Sequence, residues 1–352
     1  MKRIGVLGSG QLALMLAEAA PSLGLTVVCA GDPSECAARV AEVQRVDLKS
    51  ADAVRRFAET VDAVTLETEN IDCAVLHGID VFPSAKAVGI AQDRLLEKQF
   101  FEQCGVRVAP YAAIDSLEEL ECALLRLGTP AILKTRRMGY DGRGQVRLKE
   151  AAEAAAAWDA VGHAPCVLEG MVNFTAEVSL IAARSRAGDI ACYPLTENVH
   201  RDGILRVSSV PSQFSPLQPI AEQTMRRVLE ALEYVGVLAI EFFVVQGQLV
   251  ANEMAPRVHN SGHWTIEGAE TSQFANHLRA IAGQPLGSTR FQPTVMLNCI
   301  GEMPAASETE LFPRLQRHDY GKQPRPGRKV GHLTLPASAA VEIAEWRRRL
   351  IC

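Results

Sequence analysis

Short β-branched runs alternate with longer stretches of helical period in the first third of this chain. Positions 3–7 and 26–30 are apolar runs of strand length, and the stretch between them, to about 23, has the spacing of a helix. This βαβ unit predicts a parallel sheet. Further buried strands are expected over 61–66 and 81–84. Helical patterning resumes at 85 and reads as one helix through 103, stopped by Gly105 and carrying Arg94 and Lys98 on one face at i, i+4.

The middle of the chain mixes both periods. A helix over 116–127 opens on a capping box, Ser116 with Glu119. A short strand over 131–134 ends in Lys134, an alanine-rich helix covers 150–161, and a strand over 166–169 runs into Gly170. The runs 176–183 and 190–195 are expected to pair, with His200 in a polar loop beyond them. An amphipathic helix over 220–234 leads into two strands, 238–245 and 249–254, around Gln246-Gly247-Gln248. A helix over 271–282 stops at Gly283. After Pro285 come a buried strand over 294–300, a polar proline-bearing segment to Lys329, a strand over 330–335 and a basic helix over 341–350.

Two carboxylates, Glu241 and Glu253, interrupt the apolar runs of the 238–254 hairpin. Residues facing each other across an antiparallel ladder share a side of the sheet, and a one-residue slip inverts every side chain. A three-residue turn sets Glu241 opposite Glu253; a two-residue turn sets them on opposite faces. We expect the three-residue turn, because both charges then point into one cleft, where a carboxylate pair suits Mg²⁺. A glutamate in a strand is ordinarily part of a polar outer face. Here polar residues crowd just past the strand end, in NEMAPRVHNSGHW, which favours a site.

Composition narrows the partners. The 352 residues suffice for two or three domains, and 48% hydrophobic with 22% charged residues is the balance of a globular chain. A net charge of −5 gives no reason to expect nucleic acid. Apolar runs break well before the ~18 residues needed to span a membrane. The apolar N-terminal run turns at once into glycines, unlike a signal peptide. Nine cysteines without a CxxC pair argue against a zinc site and a disulfide framework. A cytoplasmic location is expected.

Two glycine-rich stretches are candidate phosphate cradles. Gly8, Gly10 and Ala13 form a GxGxxA turn, with Asp32 near the position of the dinucleotide fingerprint acid. The second stretch, RRMGYDGRGQVRL, sets Gly139, Gly142 and Gly144 among Lys134, Arg136, Arg137 and Arg143. It is neither a P-loop nor a kinase loop, and its cations favour phosphate contact over a flexible hairpin. Glu67 and Glu69 follow the 61–66 strand, where parallel sheets bind ligands; solvated loop acids fit equally well. A carboxylate pair for Mg²⁺ with a phosphate-gripping loop implies a nucleoside triphosphate and phosphoryl transfer.

The lysine strand, the glycine-rich loop, EGMV at 169–172, Glu177, and Glu241 with Asn252-Glu253 together resemble the ATP-grasp superfamily. More closely, GSGQL at 8–12, RRMGYDGRGQ at 136–145, NFTAEVSL at 173–180, YPLTENVHRDGIL at 193–205, APRVHNSGHWT at 255–265 and RPGRKVGHL at 325–333 resemble the 5-(carboxyamino)imidazole ribonucleotide synthetase family of de novo purine biosynthesis. That resemblance implies an α/β chain with three parts. They are a Rossmann-like parallel-sheet domain (1–93), an α+β ATP-grasp domain (94–283) with a lid at 136–145, and a small C-terminal domain (284–352).

It further implies a homodimeric ligase. ATP phosphorylates bicarbonate to carboxyphosphate, and the amine of 5-aminoimidazole ribonucleotide captures the carboxyl group. The ATP site carried over by motif is Arg94, Lys134, Gly139, Tyr140, Asp141, Gly142, Arg143, Gly144, Gln145, the adenine hinge Glu169, Gly170, Met171 and Val172, the ribose ligand Glu177, and His200, Asn252 and Glu253. Glu241 and Glu253 would hold Mg²⁺, with Mn²⁺ as an alternative. Gln11, Leu12, Tyr140, Asp141, Arg257, His259, Asn260, Ser261, Lys322, Arg328 and Lys329 are the candidates for the imidazole ribonucleotide and bicarbonate, with Arg257 and Arg328 expected to offer bidentate forks. Many ATP-grasp chains have an asparagine two residues after the metal glutamate; here that position is Ala255, so Asn260 or water would substitute.

Other classes make different demands. A nicotinamide dehydrogenase would use Gly8, Gly10, Ala13 and Asp32 but leaves Glu241, Glu253 and the 136–145 loop unexplained. A sister ligase would take glycinamide ribonucleotide and formate. A silent scaffold would have no need of a full set of ATP-site residue types.

Overall fold

Three sheets organise the chain, whose computed structural model describes residues 1–139 and 144–351. The first is parallel, in the order Glu42–Arg45, Leu25–Gly31, Lys2–Leu7, Ala63–Leu66, Val81–Phe82. Lys2–Leu7 is central, and its Ile4, Val6 and Leu7 are buried, as expected of a strand covered on both faces. The edge strand Glu42–Arg45 and the helix Ala51–Ala58 gave no clear signal in the sequence. EVQR has a single apolar residue, and the helix buries only Val54 and Phe57.

The single helix expected over 85–103 is two, Ala85–Ala91 and Arg94–Gln103. Asp93 breaks them. Its side chain accepts from the N–H groups of Leu95 and Leu96, capping the second helix and putting Arg94 in its first turn.

The second sheet is antiparallel, in the order Tyr111–Ile114, Cys166–Gly170, Ala131–Thr135, Gln145–Leu148. The helices Leu117–Leu127 and Ala154–Ala160 cover one side, packing Leu120, Leu124 and Trp158 against Leu133 and Leu168. The glycine-rich segment joins the last two strands, so Lys134 and Gln145 face each other at its foot.

The largest sheet runs Gln248–Ala255, Gly236–Val245, Ala176–Arg184, Thr196–Arg201, Ile204–Val210, Thr294–Ile300, Lys329–Pro336, Gln316–Asp319, with Ile190–Cys192 pairing Ala176–Arg184. The 190–195 strand therefore ends early, and a second hairpin follows, which moves His200 from the expected loop onto a strand. TENVHR hid this strand because its buried positions are polar. Asn198 donates to Ser179 Oγ (3.0 Å) and accepts from Ser208 Oγ (2.8 Å). The C-terminal strands extend this same sheet while forming a small core of their own around Leu297, Leu333 and Trp346.

Candidate active site

Glu241 and Glu253 do face each other, but by a different route from the one expected. Val245 pairs with Gln248, so the turn has two residues, Gln246 and Gly247, both with positive φ (50° and 74°). That register alone would put the two acids on opposite faces. A bulge restores them: Phe242 pairs with Ala251 and Glu241 with Glu253, leaving Asn252 as the extra residue. Glu241 is enclosed, and burial followed by the charge of Glu253 pushes its carboxyl up to about 7.

The helix Arg94–Gln103 lies against this hairpin and organises the cations. Arg94 Nη1 is 3.1 Å from Glu253 Oε2, and its Nη2 donates to Gly139 O (3.2 Å). Lys98 Nζ and Lys134 Nζ flank the Glu169 carboxylate at 3.1 and 2.9 Å. Burial opposes ionisation of Glu169, yet the charges of Lys134 and Lys98 outweigh it and bring the acid down to about 2. Asp93 takes Arg136 bidentately (2.9 and 2.7 Å) and Arg137 at 3.3 Å. Two of the cations expected around the glycine loop are therefore anchors for its foot. Glu97, buried on the same helix, accepts from Met254 N (2.6 Å), and burial followed by the Glu253 charge pushes its carboxyl up to about 8.

A cavity of about 780 Å³ opens between the sheets. It gathers Gln11, Leu12, Arg94, Lys134, Gly139, Gln145, Glu177, His200, Glu241, Asn252, Glu253, Arg257, His259, Asn260 and Lys329 of the expected set. Tyr140, Asp141, Gly142 and Arg143 lie outside the described residues. Glu177 Oε2 bonds His200 Nδ1 at 2.6 Å, joining two adjacent strands at the cleft wall. Phe174 and Phe243, which carried no signal of their own, stack 4.6 Å apart and line the cleft with Ile132.

Several expected residues do something else. The Glu169 side chain sits between the two lysines. The N–H groups of Gly170 and Met171 are committed to Pro110 O (2.9 Å) and Pro130 O (3.1 Å), so Val172 N–H is the hinge donor left without a partner among the described residues. Gly144, with φ +68°, sits at the foot of the loop, its carbonyl accepting from Thr135 N (2.8 Å). Ser261 is fully buried and bonds Ser179 Oγ (2.7 Å) and His259 Nδ1 (2.9 Å), which steadies the His259 ring and takes Ser261 out of reach of substrate. The Arg257 fork is already filled: Nε and Nη2 both bond Glu69, the latter at 3.0 Å. Burial opposes ionisation of Glu69, and Arg257 overrides it. Arg328 reaches Gln323 O at 3.4 Å and is not part of the cleft wall, while Lys322 Nζ bonds Gln11 Oε1 just behind it.

The first glycine turn is also filled from within. Glu67 accepts from Gly10 N (2.6 Å) and Ala13 N (3.0 Å), the donors that a dinucleotide phosphate would need. A Cβ at Gly8 would fall 2.3 Å from the Glu67 side chain. Burial pushes the Glu67 carboxyl up, against the pull of these two N–H groups. Asp32 turns its carboxylate to Ser34 N (3.0 Å). The nicotinamide reading fails on this geometry.

The residues fit a hard cation. The cavity lined by the two facing carboxylates is also lined by Asn260, whose Oδ1 and Nδ2 are buried without a partner among the described residues. His259 Nε2 stands 3.4 Å from Glu241 Oε1, and burial followed by the nearby Arg257 charge keeps this ring well below the ordinary histidine range, so it adds no competing charge. Two carboxylates with an amide oxygen leave room for phosphate oxygens, as Mg²⁺ prefers.

The chain has relatives along its whole length. Residues 1–92 match the ribonucleotide synthetase preATP-grasp domain, residues 99–274 the ATP-grasp domain and residues 294–345 the phosphoribosylaminoimidazole carboxylase C-terminal domain. The N5-carboxyaminoimidazole ribonucleotide synthase of Pseudomonas aeruginosa is 47% identical over 339 residues, covering 95% of this chain and 94% of its own. This chain belongs to the N5-carboxyaminoimidazole ribonucleotide synthase family. The family member from Escherichia coli is 42% identical over 353 residues, covering 100% of this chain and 95% of its own. The crystal structure of the Thermus thermophilus synthetase superposes with a TM-score of 0.92 at 48% identity, covering 99% of this chain and 97% of its own. The Aspergillus clavatus synthase in complex with ADP and 5-aminoimidazole ribonucleotide gives 0.90 at 30% identity, covering 99% and 97%.

Proposed function

We propose that this protein is an ATP-dependent ligase that carboxylates 5-aminoimidazole ribonucleotide with bicarbonate, giving N5-carboxyaminoimidazole ribonucleotide, ADP and phosphate in purine biosynthesis. The observation that carries the reading is the cleft itself: a bulged carboxylate pair, a lysine strand and the described ends of the glycine-rich stretch, Gly139 and Gln145, face one cavity in a family member. In the reaction an oxygen of bicarbonate attacks the γ-phosphorus and the bond to the bridging oxygen of ADP breaks, giving carboxyphosphate. The exocyclic amine then attacks the carboxyl carbon, phosphate leaves, and the nitrogen gives up a proton.

Each group has a part in this scheme. Lys134 and Arg94 meet the phosphates, with Glu169 and Glu253 holding their side chains in line. Val172 N–H is the adenine donor of the hinge, and Ile132, Phe174 and Phe243 supply apolar cleft wall. Glu177, turned by His200, takes the ribose hydroxyls. Mg²⁺ held by Glu241, Glu253 and Asn260 would neutralise phosphate oxygens. Gln11, His259 and Lys329, which line the same cleft, and Lys322, which bonds Gln11, are assigned to the ribonucleotide. The lid expected over 136–145, which would keep water from carboxyphosphate, centres on residues outside those described. Domain limits at 93 and 283 and a homodimer belong to the same reading and rest on the family resemblance, and a cytoplasmic location rests on the nine cysteines without a CxxC pair.

The test is ADP release by purified protein with Mg-ATP in bicarbonate, with and without 5-aminoimidazole ribonucleotide. Strong stimulation by that nucleotide is expected. Stimulation by glycinamide ribonucleotide with formate instead would move the function to the sister ligase, and no stimulation by either would overturn the reading.

A further inference from the structure

The bulge at Asn252 creates a need that one residue meets. Gln248–Ala255 is an edge strand of the large sheet, so every second N–H points away from its neighbour. Ala251 N points outward and bonds Arg107 O at 2.8 Å. In an unbroken strand the next outward N–H would belong to Glu253. The extra residue shifts it to Met254, whose N–H bonds Glu97 Oε1 at 2.6 Å. Glu97 is 2% exposed, so neither the acid nor the amide has water as an alternative.

Only the bulged register presents an N–H to Glu97. That register also sets Glu253 opposite Glu241; without it a two-residue turn sends the two acids to opposite faces. We propose that Glu97 is a positioning residue that locks the bulged register of the hairpin and thereby holds Glu253 in line with Glu241 for the divalent cation. It acts from the same helix face as Arg94, which bonds Glu253 itself, and Lys98, which bonds Glu169. One helix thus fixes backbone, carboxylate and lysine strand together. The role asks for a hydrogen-bond acceptor at this point and does not need a charge.

The proposal rests on the metal-site reading above, and two isosteric variants test it. Glu97→Gln keeps an acceptor of the same reach, whereas Glu97→Met fills the volume without one. Mn²⁺ binding in the presence of ADP, followed by electron paramagnetic resonance, should weaken about tenfold in Glu97→Met, within the range seen when a group that orients a metal ligand is lost. Glu97→Gln should bind Mn²⁺ as the parent does. In the metal-free protein, hydrogen exchange at the Met254 amide should be slow in the parent and in Glu97→Gln. In steady state, Glu97→Met should raise the Mg²⁺ requirement and lower kcat while KM for 5-aminoimidazole ribonucleotide stays put.

Unchanged Mn²⁺ binding in Glu97→Met, or equal damage in both variants, would overturn the proposal. Should Glu97→Met fail to fold, the Glu97→Gln protein still decides it: fast exchange at Met254 or weakened Mn²⁺ binding there rejects the acceptor role. Failure of the parent to respond to 5-aminoimidazole ribonucleotide would remove the ligase reading and leave the exchange and Mn²⁺ results standing.

Discussion

Two places in this molecule look like phosphate cradles, and they differ in who supplies the anion. At the first glycine turn, backbone N–H groups of Gly10 and Ala13 open toward a helix N-terminus, and Glu67 from a neighbouring strand end has already filled it. In the cleft, the cations are held from behind. Glu169 sits between Lys98 and Lys134, and Glu253 meets Arg94, so the lysine and arginine heads are fixed beside an open cavity. A glycine pattern announces donors; whether they are available depends on a side chain that arrives from elsewhere in the chain. The cleft is built for an exchangeable anion and the turn for a permanent one.

The largest effect expected on this contrast is at the facing carboxylates proposed to hold the cation. Glu253→Ala removes a carboxylate facing Glu241 and the partner of Arg94, and should lower turnover by about 10³-fold, as loss of a principal electrostatic group does. The fold should persist, because Glu253 is partly exposed at the cleft. Near-normal turnover with intact circular dichroism would remove Glu253 from the cation site.

Next comes the lysine strand. Lys134→Met keeps the stem and loses the ammonium, and should weaken ATP by about 10- to 100-fold, the worth of a charge-assisted hydrogen bond in an enclosed site. Titration with ATP reads this directly, and an unchanged affinity would mean that Lys134 serves Glu169 alone. Both predictions fall on residues legible in the sequence. The carboxylate pair, the lysine at a strand end and the glycine loop each show in local pattern. The bulge did not, because a two-residue turn and a three-residue turn differ by one residue, and the slip that corrected it lies farther along the strand, at Asn252. Nor did the roles of Asp93, Glu97 and Lys98, since a buried charge on a helix reveals itself only through a partner distant in sequence. Arg257 illustrates the reverse: its fork suited a substrate phosphate, but Glu69 reaches it first. The polar strand Thr196–Arg201 stayed hidden because its inward residues bury hydrogen bonds where apolar groups were sought.

The filled turn can be tested on the same footing. Glu67→Gln offers one acceptor and one donor to two N–H groups, leaving Gly10 or Ala13 unpaired at the helix N-terminus. A loss of about 2 kcal/mol is expected, from the unpaired donor and the lost anion at the dipole. Urea unfolding measures it. An unchanged midpoint would mean the turn does not depend on its internal anion, and the contrast between the two cradles would collapse.

The smallest effect concerns how the two lysines share Glu169. Its folded value, about 2, lies below the ordinary 4.5, so its contribution to stability is fully present above 4.5 and is lost as pH falls through 2. The parent should therefore soften progressively between those limits. Lys98→Met removes the second of the two cations, which should raise the acid's folded value and flatten that decline by about 1 kcal/mol, roughly one pKa unit. Urea midpoints at intervals from pH 6 down to pH 3 read the slope, separately from any loss at neutral pH caused by breaking a buried pair. A slope identical to the parent's would assign the whole depression to Lys134, and Lys98 would then be a tether for the helix with no hand in keeping Glu169 ionised behind Lys134.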